Sequence, residues 1–273
     1  MKPRPDAARG GTRAVTSLQN ERVKLIRSLE MRKVRRETGL FVAEGASVLV
    51  TARDAGWTPR MLVYLAGSAA SGIAKALLHW AQGAGAECLE VSQAVLAKLA
   101  AKDNPQTMLG VFEQRWAPEP APDAVAKDAA WVALEGVRDP GNLGTIIRTA
   151  DAAGACGIIL AGRTCDPWGS ACVRAAMGSI FAIPLVTKST AELVELCKSW
   201  PGESIGTHLQ GTEDYRRPYG EPTLVIMGSE GSGLSDPVLQ ACSILVRIPM
   251  RAGPDSLNVA VATGLMLFEV HRA

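Results

Sequence analysis

The sequence predicts an α/β protein: a large C-terminal parallel sheet covered by helices, preceded by a smaller α/β domain. Two alternations of strand-like and helix-like segments, with a proline-rich break between them, predict it. From Trp131 onward, short apolar runs alternate with helix-length segments, the pattern of strands buried on both faces of a parallel sheet. A similar but shorter alternation runs from Leu40 to Glu113. Between them, Ala117 to Ala130 reads APEPAPDAVAKDAA, where clustered prolines and small polar residues mark a linker. The expected domains are therefore 12–116 and 131–273, joined by 117–130 and preceded by a disordered tail over 1–11.

In the first half, Asn20 to Arg36 carries Val23, Ile26, Leu29 and Met31 or Val34 near helical spacing, so one basic amphipathic helix is expected. Strands follow at Leu40–Ala43, Arg60–Leu65, Glu87–Val91 and Leu109–Glu113. Helices fill Gly45–Ala55, Ser71–Ala81 and the segment from Ser92, a capping residue, to Ala100. In the second half, strands are expected at Trp131–Glu135, Gly157–Ala161, Phe181–Val186, Glu203–Thr207, Thr223–Met227 and Ile244–Ile248. Helices are expected near Gly144–Ala153, Ala171–Met177, Thr190–Ser199, Pro237–Cys242 and Asn258–His271. Ligands of such sheets sit outside the carboxyl ends of the strands.

Composition limits the function classes. At 47% apolar over 273 residues the chain buries a sizeable core, and at 5% aromatic that core is aliphatic. The net charge of +2 says little, but Met1–Leu40 holds eleven Lys or Arg against four acids, densest at Arg32, Lys33, Arg35 and Arg36. Such a segment favours polyanions, or else forms a solvated helix face. Six irregularly spaced cysteines without a C-x-x-C pair read as reduced thiols of a cytoplasmic protein. The three histidines lie far from one another and from Cys at ligand spacing, so no metal site is expected. No apolar stretch spans a membrane, and MKPRPDAARGG lacks a signal core.

Three blocks carry chemistry, each at a strand's carboxyl end. In EGVRDPGNLGTIIRTADAAGA, Asp139 to Asn142 form a turn that opens a helix, Asn142 is a candidate N-cap, and Arg148 lies further along the helix. Its start suits a phosphate; an ordinary capped helix with a surface Arg fits equally well. In TLVIMGSEGSGLSDP, a strand runs into Gly228, Gly231 and Gly233, which enclose Glu230. The spacing matches neither G-x-G-x-x-G nor a phosphate-binding loop with its Lys, which argues against a dehydrogenase. In ILVRIPMRAGPDSLNVAVATGLMLFEV, Ser256 precedes a long apolar helix as a possible cap, and Asn258 is a polar residue that needs a partner there.

Together N-L-G-T-I-I-R-T-A-D, M-G-S-E-G-S-G-L and S-L-N-V-A-V-A-T-G resemble motifs 1, 2 and 3 of the SpoU (TrmH-like) RNA ribose methyltransferases, within the SPOUT superfamily. The resemblance covers Trp131 to Arg272; a weaker one, carried by F-V-A-E-G at Phe41–Gly45, likens the first half to the L30e-like substrate-binding domain. It implies a deep trefoil knot, which runs against general topology rules, and a homodimer. It implies S-adenosylmethionine as cofactor, with Gly228, Ile248, Leu257 and, more weakly, Thr207 in contact with it. It implies an active site of Asn142, Arg148, Glu230, Ser256 and Asn258, with Arg174 on RNA phosphate. Asp255 stands where relatives often carry Glu. The expected reaction is methyl transfer to a ribose 2′-hydroxyl of RNA, ribosomal RNA ahead of tRNA. The competing reading is a catalytically inactive RNA-binding paralogue. With the resemblance, Arg32, Arg35 and Arg36 become expected RNA contacts. The family often assigns Arg148 the role of base, but a guanidinium does not give up its proton. Arg148 is therefore read as a phosphate anchor that polarises the hydroxyl.

Overall fold

The computed structural model describes residues 11–100, 106–251 and 256–272. In chain order the elements are β1 (Thr12–Val15), α1 (Glu21–Ser28), α2 (Arg32–Thr38), β2 (Leu40–Glu44), α3 (Ala46–Asp54), β3 (Met61–Leu65), α4 (Gly72–Gly83), β4 (Glu87–Val91), α5 (Gln93–Leu99) and β5 (Met108–Glu113). They continue with β6 (Ala130–Glu135), α6 (Pro140–Ala152), β7 (Gly157–Ala161), α7 (Ser170–Ala175), β8 (Leu185–Lys188) and α8 (Thr190–Ser199). The last are β9 (Glu203–Thr207), β10 (Glu213–Asp214), β11 (Thr223–Met227), α9 (Asp236–Ala241), β12 (Ile244–Arg247) and α10 (Val259–Val270). The expected tail over 1–11 lies, save Gly11, outside the described residues.

The chain forms two compact units. One takes the described residues up to Gln114 together with Trp168–Ala182; the other takes Arg115–Pro167 and the chain from Ile183. The chain therefore crosses between units ahead of the proline-rich segment, whose only helical piece is a 3-10 turn at Pro122–Ala124, and lends a later segment back to the first unit.

In the first unit the sheet order is β1-β4-β3-β5-β2, with β5 antiparallel to β2 and β3 and the other pairs parallel. Alternating side chains fill two layers. One layer holds Val23, Ile26, Val63, Leu89, Val91, Leu96 and Val111, through which α1 and α5 pack. The other is an aromatic cluster of Phe41, Trp57, Phe112, Trp168 and Phe181, with centroids such as Phe41–Trp168 4.7 Å apart. Trp57 Nε1 donates to the Phe181 carbonyl at 2.8 Å. Burying Trp168 and Phe181 contributes roughly 2–3 kcal/mol each, enough to hold 168–182 in this unit. The expected strand Phe181–Val186 is corrected for the same reason. Phe181 sits in a 3-10 turn with its ring in the cluster, Pro184 has no N–H for a ladder, and the strand is Leu185–Lys188.

The single helix expected over Asn20–Arg36 is two helices. The chain breaks at Leu29–Met31, and the Arg35 guanidinium reaches back to the Leu29 and Glu30 carbonyls at 2.6 and 2.9 Å. Those are the carbonyls a helix end leaves without partners. β1 was not anticipated: it is a short edge strand, exposed along most of its length, with no periodicity to betray it.

The second unit is built on a seven-stranded sheet, order β10-β12-β9-β11-β6-β7-β8, parallel throughout. Its central strands are buried on both faces. Helices α8 and α9 pack together, and Leu193, Leu196, Trp200, Leu234 and Val238 join Ala133, Ile159 and Ile226 in one core. Helix α6 buries Leu143, Ile146, Ile147 and Ala150 and packs against α10. Strands β6, β7 and β8 step one way while β11 returns on the other side of β6. That reversal is the switch point where a crevice opens at the strands' carboxyl ends.

Candidate active site

The first block ends β6 and opens α6 at the switch point. Asp139, not Asn142, is the N-cap: its Oδ1 accepts the Asn142 N–H at 2.7 Å, and Pro140 fills the first helical position. Asp before Pro is a stop-and-start signal for a helix, and it was legible. With the capping done by Asp139, the Asn142 side chain is released for another task.

The second block leaves β11 at Gly228. Ser229 and Gly233 exchange two backbone hydrogen bonds of 3.1 Å, closing a small loop that holds Glu230. The loop needs glycine at two positions. A Cβ on Gly228 would lie 2.1 Å from the Gly233 carbonyl carbon, and Gly233 has φ +69°. The close approach at Gly228 is thus to its own loop. Glu135, at the end of β6 and 8% exposed, accepts the Ser235 N–H at 2.8 Å and the Ser235 hydroxyl at 2.7 Å. It ties the far end of the loop to the sheet. Glu135 escaped sequence reasoning because its partner lies a hundred residues on.

The third block supplies Asn258. It is the N-cap of α10: its Oδ1 accepts from the Ala260 and Val261 N–H groups at 2.9 and 3.3 Å. Ser256, considered as that cap, is exposed and forms no hydrogen bond among the described residues. Capping fixes the Asn258 amide, so its NH2 faces outward and donates to Asn142 Oδ1 at 2.9 Å. Asn142 in turn must present its own NH2 elsewhere, and it donates to Glu230 Oε1 at 2.7 Å. Two amides in series therefore orient one carboxylate, with every donor and acceptor determined by the helix cap at the start of the chain.

Three of the five expected catalytic residues, Asn142, Glu230 and Asn258, thus meet through hydrogen bonds. Arg148, two turns into α6, is exposed and without a hydrogen-bond or ion-pair partner among the described residues. Ser256 is not joined to the group. Burial pushes the Cys165 thiol up to about 11; a backbone hydrogen bond opposes it, and the charges of Asp139, Asp166 and Glu230 each add a smaller push upward.

Three of the expected cofactor contacts, Thr207, Gly228 and Ile248, sit at neighbouring carboxyl ends, and the fourth, Leu257, lies just ahead of α10. Thr207 ends β9, beside β11, and its hydroxyl reaches the Ile226 carbonyl and Met227 Sδ at 3.4 and 3.3 Å. Ile248 follows β12 and is half-buried, and Leu257 is 38% exposed. Of the expected RNA contacts, Arg32 and Arg36 are exposed on α2. Arg35 is a correction: it is 6% exposed, with its guanidinium held by backbone carbonyls as described, so it braces the α1–α2 turn instead. Arg174 belongs to the first unit, where its Nη1 is shut off from solvent without a hydrogen-bond partner.

Residues 20–110 match an MRM3-like substrate binding domain. An uncharacterised tRNA/rRNA methyltransferase of Synechocystis is 35% identical, covering 95% of this chain and 93% of its own. The 23S rRNA (guanosine(2553)-2'-O)-methyltransferase RlmP of Bacillus subtilis is 29% identical over 94% of this chain and 98% of its own. An AdoMet-bound rRNA methyltransferase from Sinorhizobium meliloti superposes with a TM-score of 0.88 at 42% identity, covering 96% of this chain and 98% of that one. Residues 129–268, which hold the first two blocks and all but the last two residues of the third, match the SpoU rRNA Methylase family, and the chain belongs to that family.

Proposed function

We propose that the protein transfers the methyl group of S-adenosylmethionine to a ribose 2′-hydroxyl of 23S ribosomal RNA, as a homodimer in the cytoplasm. The observation that carries this reading is the series Asn258–Asn142–Glu230, which aims a carboxylate at the switch point of a parallel sheet. The substrate follows from RlmP, named for that reaction on 23S rRNA, and from the match of residues 20–110 to a substrate-binding domain.

The residues present suit the cofactor. Ile248 and Leu257 leave apolar surface part-uncovered beside the strand ends, which suits an adenine ring. Gly228 and the Thr207 hydroxyl complete the proposed set, and the related structure from Sinorhizobium meliloti holds AdoMet. When bound, S-adenosylmethionine supplies a methyl group already activated on its sulfonium. The chain's task is then to align the ribose hydroxyl and to receive its proton, and good alignment is worth as much as roughly 7–11 kcal/mol of a barrier.

Glu230 Oε1 is taken by Asn142, and Oε2 has no hydrogen-bond partner among the described residues, so it is the acceptor offered to the hydroxyl. The exposed Arg148 keeps its proton; it anchors the neighbouring phosphate and polarises the ribose oxygen, and Ser256 adds a hydroxyl at the substrate side. The dimer uses the free face of α10, where Val261 (54% exposed), Leu265 and Phe268 (59% exposed) form an apolar stripe beyond Asn258. The C-terminal chain is read as threaded into the family's trefoil knot, supported by β9 lying between β11 and β12.

Methyl-transfer kinetics on 23S rRNA test the assignment of roles. Arg148→Lys is expected to retain measurable activity where Arg148→Ala does not, while Glu230→Gln is inactive with RNA affinity unchanged. An Arg148→Lys enzyme as dead as Arg148→Ala, at equal RNA affinity, would return the proton-transfer role to Arg148.

A further inference from the structure

Two cysteines of the second unit, Cys197 in α8 and Cys242 at the C-terminal end of α9, take no part in the methyl-transfer chemistry. Helices α8 and α9 pack on each other, and both side chains enter the core built there on Leu193, Leu196, Leu234 and Val238. Their thiols share a hydrogen bond. The Cys242 sulfur is backed by β9, where a Cβ on Gly206 would lie 2.9 Å from it, and it reaches the Val238 carbonyl at 3.1 Å. The next residue is pinned as well: the Ser243 hydroxyl accepts the Ser204 N–H and donates to the Ser204 carbonyl, both at 2.9 Å. Cys197 is only 4% exposed, whereas Cys242 is half-buried and opens the pair to solvent. Burial alone makes a thiol inert, as at Cys88, which is pushed up to about 11 chiefly by its burial. At Cys197 the hydrogen bond from Cys242 outweighs burial and lowers the thiol below its ordinary value, while Cys242, which keeps the proton, is raised. One sulfur therefore ionises while its neighbour holds a proton toward it, the arrangement of an attacking and a resolving thiol.

We propose that Cys197 and Cys242 form a reversible oxidation site, which hydrogen peroxide converts to a disulfide that clamps α9 to α8. The Cys197 thiolate attacks one oxygen of the peroxide and the O–O bond breaks. Cys197 becomes a sulfenic acid, and the other oxygen leaves as hydroxide, which takes up the proton lost from the thiol to give water. The Cys242 sulfur then attacks the Cys197 sulfur, the S–S bond forms, and the sulfenic oxygen leaves with the Cys242 proton as a second water. Two thiols and one peroxide thus give one disulfide and two waters, the sulfurs being oxidised and the peroxide reduced. Thiols already in hydrogen-bond contact need only a small approach to reach the S–S bond length of about 2 Å. In a reducing compartment such a bond is transient, which is how disulfides there serve as redox sensors. The bond closes the long stretch from α8 through β9 and β11 to α9 and removes freedom from the unfolded chain, so the oxidised protein is the more stable form.

The test treats the reduced full chain with hydrogen peroxide, then unfolds it in iodoacetamide to cap the remaining thiols, and reads the cysteine peptides by mass spectrometry. The exposed Cys156 is the internal gauge that oxidant has acted. The expected product is a Cys197–Cys242 linkage within one chain, formed ahead of oxidation at Cys156 and reversed by dithiothreitol, with a Tm several degrees above that of the reduced protein. In Cys242→Ser the resolving sulfur is gone, so peroxide should carry Cys197 on to the sulfinic acid instead. The wild-type linkage decides the matter even where this variant fails to fold, which circular dichroism reports. Oxidation at Cys156 with Cys197 and Cys242 both still capped by iodoacetamide overturns the site. So does a linkage that forms only when peroxide is added in urea, or one that joins either cysteine to a different partner. A native linkage with a Tm no higher than that of the reduced protein overturns the clamp.

Discussion

Replacing Asn142 by Asp is the sharpest probe of the proposed site, because it changes one NH2 to an oxygen and little else. In the structure that NH2 lies 2.7 Å from Glu230 Oε1. The variant sets two carboxylates at that distance. Coulomb's law in a water-like medium, which suits an exposed pair, makes their repulsion about 1.5 kcal/mol. Loss of the hydrogen bond itself adds about 0.5–1 kcal/mol, the low end of the ordinary range, because the pair is exposed to water. The Asn258 side of the series is spared, since an aspartate oxygen still accepts from its NH2. The total, about 2 kcal/mol, corresponds to a fall in Tm of roughly 4–8 °C for a unit of this size. The repulsion acts only while both groups are ionised. The deficit is therefore present at neutral pH and shrinks as the pH falls and the pair takes up a proton. Thermal unfolding of wild type and Asn142→Asp at pH 7.5 and at pH 4 reads this directly, and methyl transfer should be lost at pH 7.5. Equal Tm at pH 7.5, with no change in the difference at pH 4, would mean that Asn142 and Glu230 do not meet in solution.

Glu135→Ala strips both acceptors from Ser235 in a half-buried place, and urea denaturation should show a loss of about 3 kcal/mol, against about 1 for Glu135→Gln; equal stability of all three would remove Glu135 as the anchor of the Glu230 loop. The Cys165 thiol, raised to about 11, should react slowly with iodoacetamide at pH 7.5 and quickly only above pH 10, followed by mass spectrometry. Because the folded value lies above the ordinary one near 9, its contribution to stability is complete below pH 9 and fades toward pH 11; rapid labelling at neutral pH would contradict the burial described. Phe268→Glu, in the exposed stripe of α10, should give a folded monomer in sedimentation at micromolar concentration, and an unchanged dimer would place the interface elsewhere.

Much of the second unit was legible. Thr223–Met227 and Gly157–Ala161 are strands at the residues their apolar runs indicate, because central strands of a parallel sheet must be apolar on both faces. Spacing placed Asn142, Glu230 and Asn258 at strand ends, but only as separate candidates. What joins them is an amide relay set by the cap of α10, a relation across 116 residues that no local pattern encodes. The same limit explains the errors. Arg35 reads as a surface charge until Leu29 and Glu30 turn their carbonyls to it. Phe181 reads as the start of a strand until the aromatic cluster claims it. The edge strands β1 and β10 are too short to carry a period.

The most direct measurement of the central claim is the position of the transferred methyl group. Protein, methyl-labelled S-adenosylmethionine and 23S rRNA transcript would be incubated, the RNA digested to nucleosides, and the labelled species identified by mass spectrometry. The expected result is a single 2′-O-methylated nucleoside, absent with Asn142→Asp and with Glu230→Gln. Label on a base, or label that persists in both variants, would contradict the site built from Asn258, Asn142 and Glu230.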